Sequence, residues 1–221
     1  MASQSLWYYT GLPNAVIDAI EEDLDRNFSS DLKPSLVGHS PDGTGAKGKP
    51  SELNTSIRNA QNTWIPTTHW IAGFCWHYVM RANRENFLYD LSHIDQESLQ
   101  YTVYDPGEYY GWHTDADLSS MHTPLSEWNK GQRSFEEVRD DYTRTQNEIC
   151  RKLSFSLLIS DPSDYRGGSF EIYGFQDKKY LAPKQRGTII LFDSRAKHRV
   201  TKVTKGVRKS IVGWTVGPRW K

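Results

Sequence analysis

Apolar residues near the start of the chain recur at the spacing of a helix. One helix is predicted over about 12–24, where Pro13 provides a start signal. The next segment, 29–50, is rich in Gly, Pro and Ser and is predicted to form a loop. A longer apolar run over 64–86 begins irregularly and then favours a buried helix from about Thr68. The N-terminal part of the chain is therefore predicted to be mostly helical.

The pattern changes from residue 99 onward, where apolar and β-branched residues form short runs separated by Gly, Pro, Asp and Ser. Six of these runs are predicted to be strands: Leu99–Tyr104, Lys152–Ser160, Ser169–Tyr173, Gly187–Phe192, His198–Val203 and Arg208–Val216. Several short strands without intervening helices favour a sandwich, a barrel or a jelly roll. The sequence therefore predicts a mainly β fold with N-terminal helices.

The chain has 221 residues and no internal repeat, which favours a single domain over 1–221. Within it, 1–98 is predicted to be a mostly helical support region, and 99–218 is predicted to be the β core. A polar, charged insertion at 117–150 interrupts that core. Insertions of this length are usually lids, binding loops or disordered segments.

Charge and cysteine content narrow the classes of function. Lys plus Arg and Asp plus Glu both number 27, so the net charge is zero and gives no support to nucleic-acid or membrane binding. Cys75 and Cys150 lie far apart and are predicted to be reduced thiols. The N-terminus lacks a secretory pattern, and no apolar run approaches a membrane span. We expect a cytoplasmic protein with no nucleic-acid or membrane partner.

The stretch YDPGEYYGWHTDAD, 104–117, brings His113 and Asp115 to a spacing of two. Residues i and i+2 of a strand point to the same face, so both side chains can converge on one metal ion. Alone, the pair is a weak signal, and a surface histidine beside a solvated aspartate is the alternative. His198 begins a late strand and is the predicted third ligand, since strands distant in sequence can be neighbours in a jelly roll. Two histidines and one carboxylate leave open positions, the arrangement preferred for non-haem Fe(II) that binds substrate and O₂.

Arg208 and Ser210 follow His198 and are candidates for binding an anion. A two-residue turn before Arg208 would place it on the face opposite His198. A three-residue turn over 204–206 would instead pair Arg208 with Lys202 and place His198, Arg208 and Ser210 on one face. In that register the guanidinium and the hydroxyl suit a carboxylate-bearing co-substrate, and Lys202 lies at the rim or helps to hold the anion.

Three segments together resemble the Fe(II)/2-oxoglutarate-dependent dioxygenases of the prolyl 4-hydroxylase type, especially the bacterial PKHD-type hydroxylases. They are QYTVYDPGEYYGWHTD, RKLSFSLLISDPSDYRGGSFEIY and QRGTIILFDSRAKHRVTKVTKGVRKSIVGWTVGP. The resemblance covers about 99–218 and, more weakly, the helical start. Independent segments agree in order and spacing, which makes the combined motif set specific.

The resemblance implies a double-stranded β-helix, a distorted jelly roll, with Fe(II) on His113, Asp115 and His198. It implies 2-oxoglutarate and O₂ as co-substrates, ascorbate as the reductant, and release of succinate and CO₂ as a C–H bond is hydroxylated. Related halogenases lack the carboxylate ligand, so the presence of Asp115 favours hydroxylation over halogenation.

The resemblance also implies how the co-substrate is held. Its distal carboxylate is expected on Arg208 and Ser210. Tyr104 stands where related prolyl hydroxylases use a tyrosine to hydrogen-bond the co-substrate. Some relatives have a second such tyrosine where this chain has Leu158, so that contact is expected to be absent or replaced.

The implied substrate is a proline residue in a peptide or protein, as for procollagen-proline dioxygenases. A free amino acid or another small molecule is the alternative substrate, and a non-catalytic metal-binding jelly roll is the alternative from a different class. Four residues are candidates for contacting the substrate: Tyr110, Trp112, Arg195 and Trp214. Tyr110 and Trp112 alternate with Tyr109 on a strand, so they are expected to share one face.

Overall fold

The computed structural model describes residues 6–36, 53–116, 149–174 and 178–218. The predicted insertion at 117–150 lies outside the described residues, except for Ile149 and Cys150, and so does its interpretation as a lid. In the described part of the chain, no helix combines the length and the apolar character that crossing a lipid bilayer requires.

Two α-helices precede most of the β core, as the apolar spacing predicts. They are α1 (Asn14–Asn27) and α2 (Trp70–Ala82), and α2 continues into a π-helical turn at Asn83–Phe87. Apolar residues at helical spacing form the buried face of each helix. Both faces contribute to one apolar core, which they share with the larger β-sheet. Cys75 and Cys150 do not form a disulfide, and burial raises the pKa of Cys75 to about 12.

The described residues also form fifteen strands. Their bounds are β1 (Leu6–Tyr9), β2 (Lys33–Pro34), β3 (Arg58–Asn59), β4 (Gln61–Pro66), β5 (His93–Ile94), β6 (Ser98–Tyr104), β7 (Tyr109–His113), β8 (Ile149–Leu158), β9 (Tyr165–Gly167), β10 (Phe170–Tyr173), β11 (Lys179–Leu181), β12 (Ile189–Asp193), β13 (His198–Val200), β14 (Val203–Gly206) and β15 (Arg208–Pro218).

These strands form two main antiparallel sheets. The larger sheet has the order β1-β12-β8-β15-β6-β4-β2, with β5 beside β15. The smaller sheet has the order β11-β10-β13-β7-β3, and β14 pairs with β9 separately. Strands that are distant in sequence thus become neighbours, and apolar residues of both sheets share a second core. The predicted double-stranded β-helix, mainly β with N-terminal helices, is confirmed.

Alternation along the strands divides side chains of the larger sheet between the two cores. On β15, Ile211 packs in the core shared with the helices. Arg208 lies opposite Tyr104 of β6, which belongs to the core between the sheets. Directly opposed residues share a face, and so do residues two apart on a strand, so Arg208 and Ser210 face the space between the sheets.

The region 1–98 was predicted to be mostly helical. It also contains strands β1 to β5, which the sequence did not predict. β1 pairs with β12, β3 with β7 and β4 with β6, so N-terminal residues extend both sheets. Residues 64–66, expected to be irregular, belong to β4. Each of these strands is stabilised by a partner far along the chain, and a local pattern does not reveal such a partner.

The predicted hairpin between His198 and Arg208 is wrong, because the two residues lie in different sheets. β13 pairs with β10 and β7, whereas β15 lies between β8 and β6. The intervening strand β14 pairs with β9. Gly206 ends β14 with φ +70°, and a Cβ there would lie 1.8 Å from the carbonyl oxygen of Asp164. Only glycine fits this crossing between sheets, and neither predicted turn register occurs.

Candidate active site

His113 and His198 face each other on neighbouring strands of the smaller sheet. His113 ends β7, His198 begins β13, and the two are direct partners in the antiparallel register. Their ring centroids lie 4.1 Å apart. Asp115 follows the end of β7 in a bend, where its N–H donates a 2.9 Å hydrogen bond to the carbonyl oxygen of Ser194. The carboxylate thus joins the two imidazoles through a turn rather than through a continued strand.

The three side chains form a compact group of potential metal ligands. His113 Nε2 lies 3.6 Å from Asp115 Oδ1, and His198 Nε2 lies 3.4 Å from Asp115 Oδ2. One potential ligand atom from each residue lies within 4.8 Å of the others. The side chains of His113, Asp115 and His198 are 14%, 10% and 6% exposed, so the group is largely buried but still reached by solvent.

The hydrogen bonds of both imidazoles leave Nε2 free to bind a metal. His113 Nδ1 lies 2.8 Å from the carbonyl oxygen of Gly111, and His198 Nδ1 lies 2.9 Å from that of Ala196. A carbonyl oxygen only accepts, so each Nδ1 carries the proton and each Nε2 carries the lone pair. Burial and, to a smaller extent, the neighbouring His198 lower the pKa of His113 to about 3. The His113 imidazole is therefore neutral near pH 7.

The Asp115 carboxyl group is ionised for a different reason. Burial raises its pKa, but His198, His113, Arg151 and a hydrogen bond from Ser154 together outweigh burial and hold the pKa below its ordinary value. A carboxylate and two imidazoles are the donor set that suits Fe(II) with open coordination positions. The predicted residues therefore fit the metal that the resemblance implies.

A second part of the site lies between the sheets around Arg208. Its side chain is buried, Nη1 donates a 3.0 Å hydrogen bond to Ser210 Oγ, and the guanidinium lies 5.4 Å from the ring centroid of Tyr104. Tyr104, Arg208 and Ser210 thus come together as predicted. They do so because β15 pairs with β6 and not because β15 follows β13 in a hairpin. Lys202 is exposed, and its Nζ lies 5.7 Å from the ring of Tyr109.

Tyr110 and Trp112 do not share a face, and the prediction that they do is wrong. His113 pairs with His198 and Tyr110 pairs with Val200, so the register shifts between them. This bulge turns Tyr110 toward the site, where it stacks on His113 with ring centroids 3.6 Å apart. Burial raises the pKa of Tyr110 to about 12.

Trp112 lies on the outer face of the smaller sheet. Its ring centroid is 4.8 Å from that of Tyr173 and 4.6 Å from the guanidinium carbon of Arg199. Arg199 alternates with His198 on β13, so its side chain points away from the metal ligands. Trp112 therefore does not line the site.

The other two residues predicted to contact the substrate, Arg195 and Trp214, make different contacts. Arg195 Nε donates a 2.8 Å hydrogen bond to Asp193 Oδ1, so much of its charge is already paired. Trp214 lies on the same face of β15 as Arg208 and Ser210, because it follows each of them by an even number of residues, and it is half-buried. The guanidinium of Arg151 lies 4.3 Å from its ring centroid.

Sequence reasoning did not single out four residues of this region: Trp64, Arg151, Tyr165 and Lys184. Arg151 Nη1 donates to the carbonyl oxygen of Asp115 at 3.3 Å, and its Nε donates to Asp95 Oδ2 at 2.7 Å. Trp64 is 47% exposed, and its ring centroid lies 6.4 Å from that of Trp214. Pairing between strands distant in sequence brings these residues to the site. The one local sequence signal near any of them is the Gly167-Gly168 turn that follows Tyr165.

Known proteins match both the sequence and the fold. The model of the 2OG-Fe(II) oxygenase superfamily matches residues 99–216. A PKHD-type hydroxylase from Synechococcus elongatus is 30% identical over 157 residues, which cover 70% of this chain and 59% of that protein. The chain spans about half the length of the curated relatives that it matches.

Two solved structures share the fold at low sequence identity. A prolyl-4-hydroxylase from Pseudomonas putida gives a TM-score of 0.61 at 16% identity and covers 99% of this chain and 94% of its own. A prolyl hydroxylase from Trichoplax adhaerens was solved in complex with a peptide fragment of the hypoxia inducible factor oxygen degradation domain. It gives a TM-score of 0.64 at 14% identity, and the match covers 96% of this chain and 83% of that chain. The sequence match includes His113, Asp115 and His198, and the chain belongs to the 2OG-Fe(II) oxygenase superfamily.

Proposed function

We propose that this protein is an Fe(II)- and 2-oxoglutarate-dependent hydroxylase that acts on a proline residue in a peptide or protein. The observation that carries the proposal is the convergence of His113, Asp115 and His198 on one point. The buried Arg208 and Ser210 pair on the facing sheet supports it. The PKHD-type relative and the two prolyl hydroxylase structures favour the prolyl branch of the family.

At the metal end, His113 and His198 would bind through Nε2 and Asp115 through a carboxylate oxygen. The carbonyl groups of Gly111 and Ala196 hold the rings in the required tautomer and orientation. When bound together, the metal and 2-oxoglutarate supply the oxidising power that places one oxygen atom of O₂ in a C–H bond and leaves succinate and CO₂.

At the co-substrate end, Arg208 would bind the distal carboxylate, and Ser210 orients the guanidinium through its 3.0 Å hydrogen bond. Tyr104 packs beside the guanidinium and limits its freedom. Apolar rings exclude water between the two ends: the centroids of Phe170 and Phe192 lie 5.5 and 4.6 Å from that of His198. A dry passage protects a reactive site from side reactions.

The substrate would approach over Trp214 and Trp64, whose ring centroids lie 6.4 Å apart, and the Arg151 guanidinium lies beside the Trp214 indole. An extended proline-rich peptide fits aromatic surfaces of this kind, because the preorganised proline backbone loses little entropy on binding. Arg151 joins this surface to the metal end through its hydrogen bond to Asp115. Tyr110 backs the His113 ring, so substitution there would disturb the metal ligand first.

The test is succinate formation from 2-oxoglutarate in the presence of Fe(II), ascorbate and O₂, with and without a proline-rich peptide. The proposal expects peptide-stimulated succinate and a peptide mass gain of one oxygen atom. Asp115→Ala is the inactive control, and Ser163→Ala, an exposed loop position, is the matched active control.

Other results would revise the proposal in defined ways. Succinate that free proline or another small molecule stimulates, and peptides do not, would keep the oxygenase and move the substrate to the small-molecule class. No succinate under any of these conditions would leave a metal-binding jelly roll without turnover.

A further inference from the structure

A cavity between the sheets carries more hydrogen-bond donors than its walls satisfy. It is lined by Leu158, Tyr165, Gly168, Phe170, Lys184 and Arg208, among others. Four buried side-chain polar atoms of the described residues have no hydrogen-bond partner, and two of them, Tyr165 Oη and Arg208 Nε, belong to this lining. Buried donors without an acceptor are costly, so their presence on one cavity points to an acceptor that binds there.

The positive charge of the lining residues indicates that the acceptor is negatively charged. Lys184 and Arg208 are cationic, and no Asp or Glu of the described residues lines the cavity. Lys184 Nζ donates a 2.6 Å hydrogen bond to the carbonyl oxygen of Gly167, which leaves two of its N–H groups for another acceptor. Its Nζ also lies 5.3 Å from the ring centroid of Tyr165. These two cations without a lining carboxylate favour an anion as the ligand of the cavity.

The like charges have a cost that a bound anion would offset. Burial lowers the pKa of Lys184, and Arg208 and Arg166 lower it further. Burial likewise raises the pKa of Tyr165, against an opposing effect of Arg208, so the phenol remains a donor. A carboxylate between these groups would accept from all three and relieve the repulsion between the two cations.

The backbone at Gly168 passes close to two of these groups, Arg208 and Tyr165. Its φ is +57°, and a Cβ there would lie 2.9 Å from Cδ of Arg208 and 3.2 Å from Cε2 of Tyr165. A side chain at position 168 would therefore crowd both Arg208 and Tyr165, and glycine leaves them the space that they occupy.

We propose that Tyr165 and Lys184 act together with Arg208 as a three-point clamp for the distal carboxylate of the co-substrate. This inference rests on the proposed function. The phenol of Tyr165, the first residue of β9, takes the place of a hydroxyl that Leu158 cannot supply. Lys184, from the segment before β12, adds a second charge. The clamp makes the site selective for a 2-oxo acid that carries a second carboxylate.

Measurements of ligand affinity distinguish residues that bind the co-substrate carboxylate from residues that only stabilise the fold. Titration calorimetry on Zn(II)-loaded protein, which avoids turnover, compares 2-oxoglutarate with 2-oxobutyrate, which lacks the distal carboxylate. Tyr165→Phe and Lys184→Met are each expected to weaken 2-oxoglutarate binding by about tenfold, since each removes a hydrogen bond to a charged group. Both variants should leave 2-oxobutyrate binding unchanged. Tyr180→Phe and Lys179→Met, on the exposed strand β11, are matched controls that should behave as wild type.

Each remaining outcome contradicts the clamp. An equal loss for both 2-oxo acids would make Tyr165 and Lys184 structural. Unchanged 2-oxoglutarate affinity in the variants, with binding intact in wild type, would overturn the clamp and leave the proposed function standing. A wild-type protein that binds no 2-oxoglutarate at all would overturn both. The thermal unfolding midpoint of each variant checks that it folds, and Tyr165→Phe keeps the ring that packs in the cavity.

Discussion

The hydroxyl oxygens of Ser154 and Ser194 lie 2.9 Å apart directly behind Asp115. Ser154 also hydrogen-bonds to the Asp115 carboxylate, and the Ser194 carbonyl oxygen accepts from the Asp115 backbone N–H. The middle of β8 and the turn after β12 are thereby joined to the carboxylate that follows β7. Asp115 is outside any regular strand, so this pair of serines supplies the rigidity that a strand would otherwise provide.

Ser154→Ala should therefore weaken metal binding without removing a ligand. Loss of such a supporting hydrogen bond typically lowers metal affinity by about tenfold or more. Titration of the metal-free protein with Zn(II) measures the effect, and Ser163→Ala is the surface control. Equal Zn(II) affinity in Ser154→Ala and wild type would mean that Asp115 is held by its backbone alone.

Removing a ligand should have a larger effect. His113→Ala and His198→Ala are each expected to lower metal affinity by more than about a hundredfold, beyond the range for supporting residues. His93→Ala, an exposed histidine on β5, should bind metal as wild type does. If either ligand variant kept full affinity, the ion would have to bind elsewhere.

Arg208→Ala should mainly raise the concentration of 2-oxoglutarate that half-saturates turnover. Loss of a buried charged partner commonly costs about 2–5 kcal/mol, which corresponds to about thirtyfold or more. Arg166→Ala is a suitable control, because that side chain is exposed on β9. An unchanged requirement would assign the carboxylate to another cation, and Lys184 is better placed for this than the exposed Lys202.

Trp64→Ala should raise the KM for a proline-containing peptide and leave the KM for 2-oxoglutarate unchanged. The indole is 47% exposed, so its loss should cost little stability. A contact with an aromatic ring contributes about 1 kcal/mol, so about a fivefold rise in peptide KM is expected. Tyr180→Ala removes an exposed ring from the other sheet and serves as control. A peptide KM that does not move would place the substrate on another surface.

Asp193 makes stability dependent on pH. Burial raises its pKa, but hydrogen bonds from Arg195 and Tyr89 outweigh burial and leave the pKa below its ordinary value. A carboxyl group with a lower pKa in the folded chain stabilises the fold above the unfolded-state pKa, and this stability is lost as pH falls through the folded-state pKa.

Asp193→Asn should thus be less stable than wild type near neutral pH, by about 1–3 kcal/mol for a disrupted buried hydrogen-bond pair. The difference should shrink as pH falls from about 5 to about 3, because only the wild-type residue loses its charge. Urea unfolding at several pH values measures the difference in free energy of unfolding near neutral pH and its decrease at lower pH. A difference that stayed constant over that range would show that the Asp193 charge does not stabilise the fold.

Local sequence determined the elements and the chemistry of this protein. The spacing of Ile17, Ile20 and Leu24 was enough for α1, and the short β-branched runs were enough for most strands after residue 98. Residue types at fixed spacing were also enough to nominate His113 and Asp115, because a helix period, a strand period and a ligand pair are all local properties.

Tertiary structure decided which of these elements meet. β13 and β15 are close in sequence, yet they joined different sheets, and Arg208 reached Tyr104 through β6 instead of His198 through a hairpin. A bulge decided that Tyr110 and not Trp112 faces the metal ligands. Tyr165 and Lys184 meet Arg208 only because separate segments line one cavity. Strand pairing and bulges depend on partners far along the chain, so no local pattern encodes them.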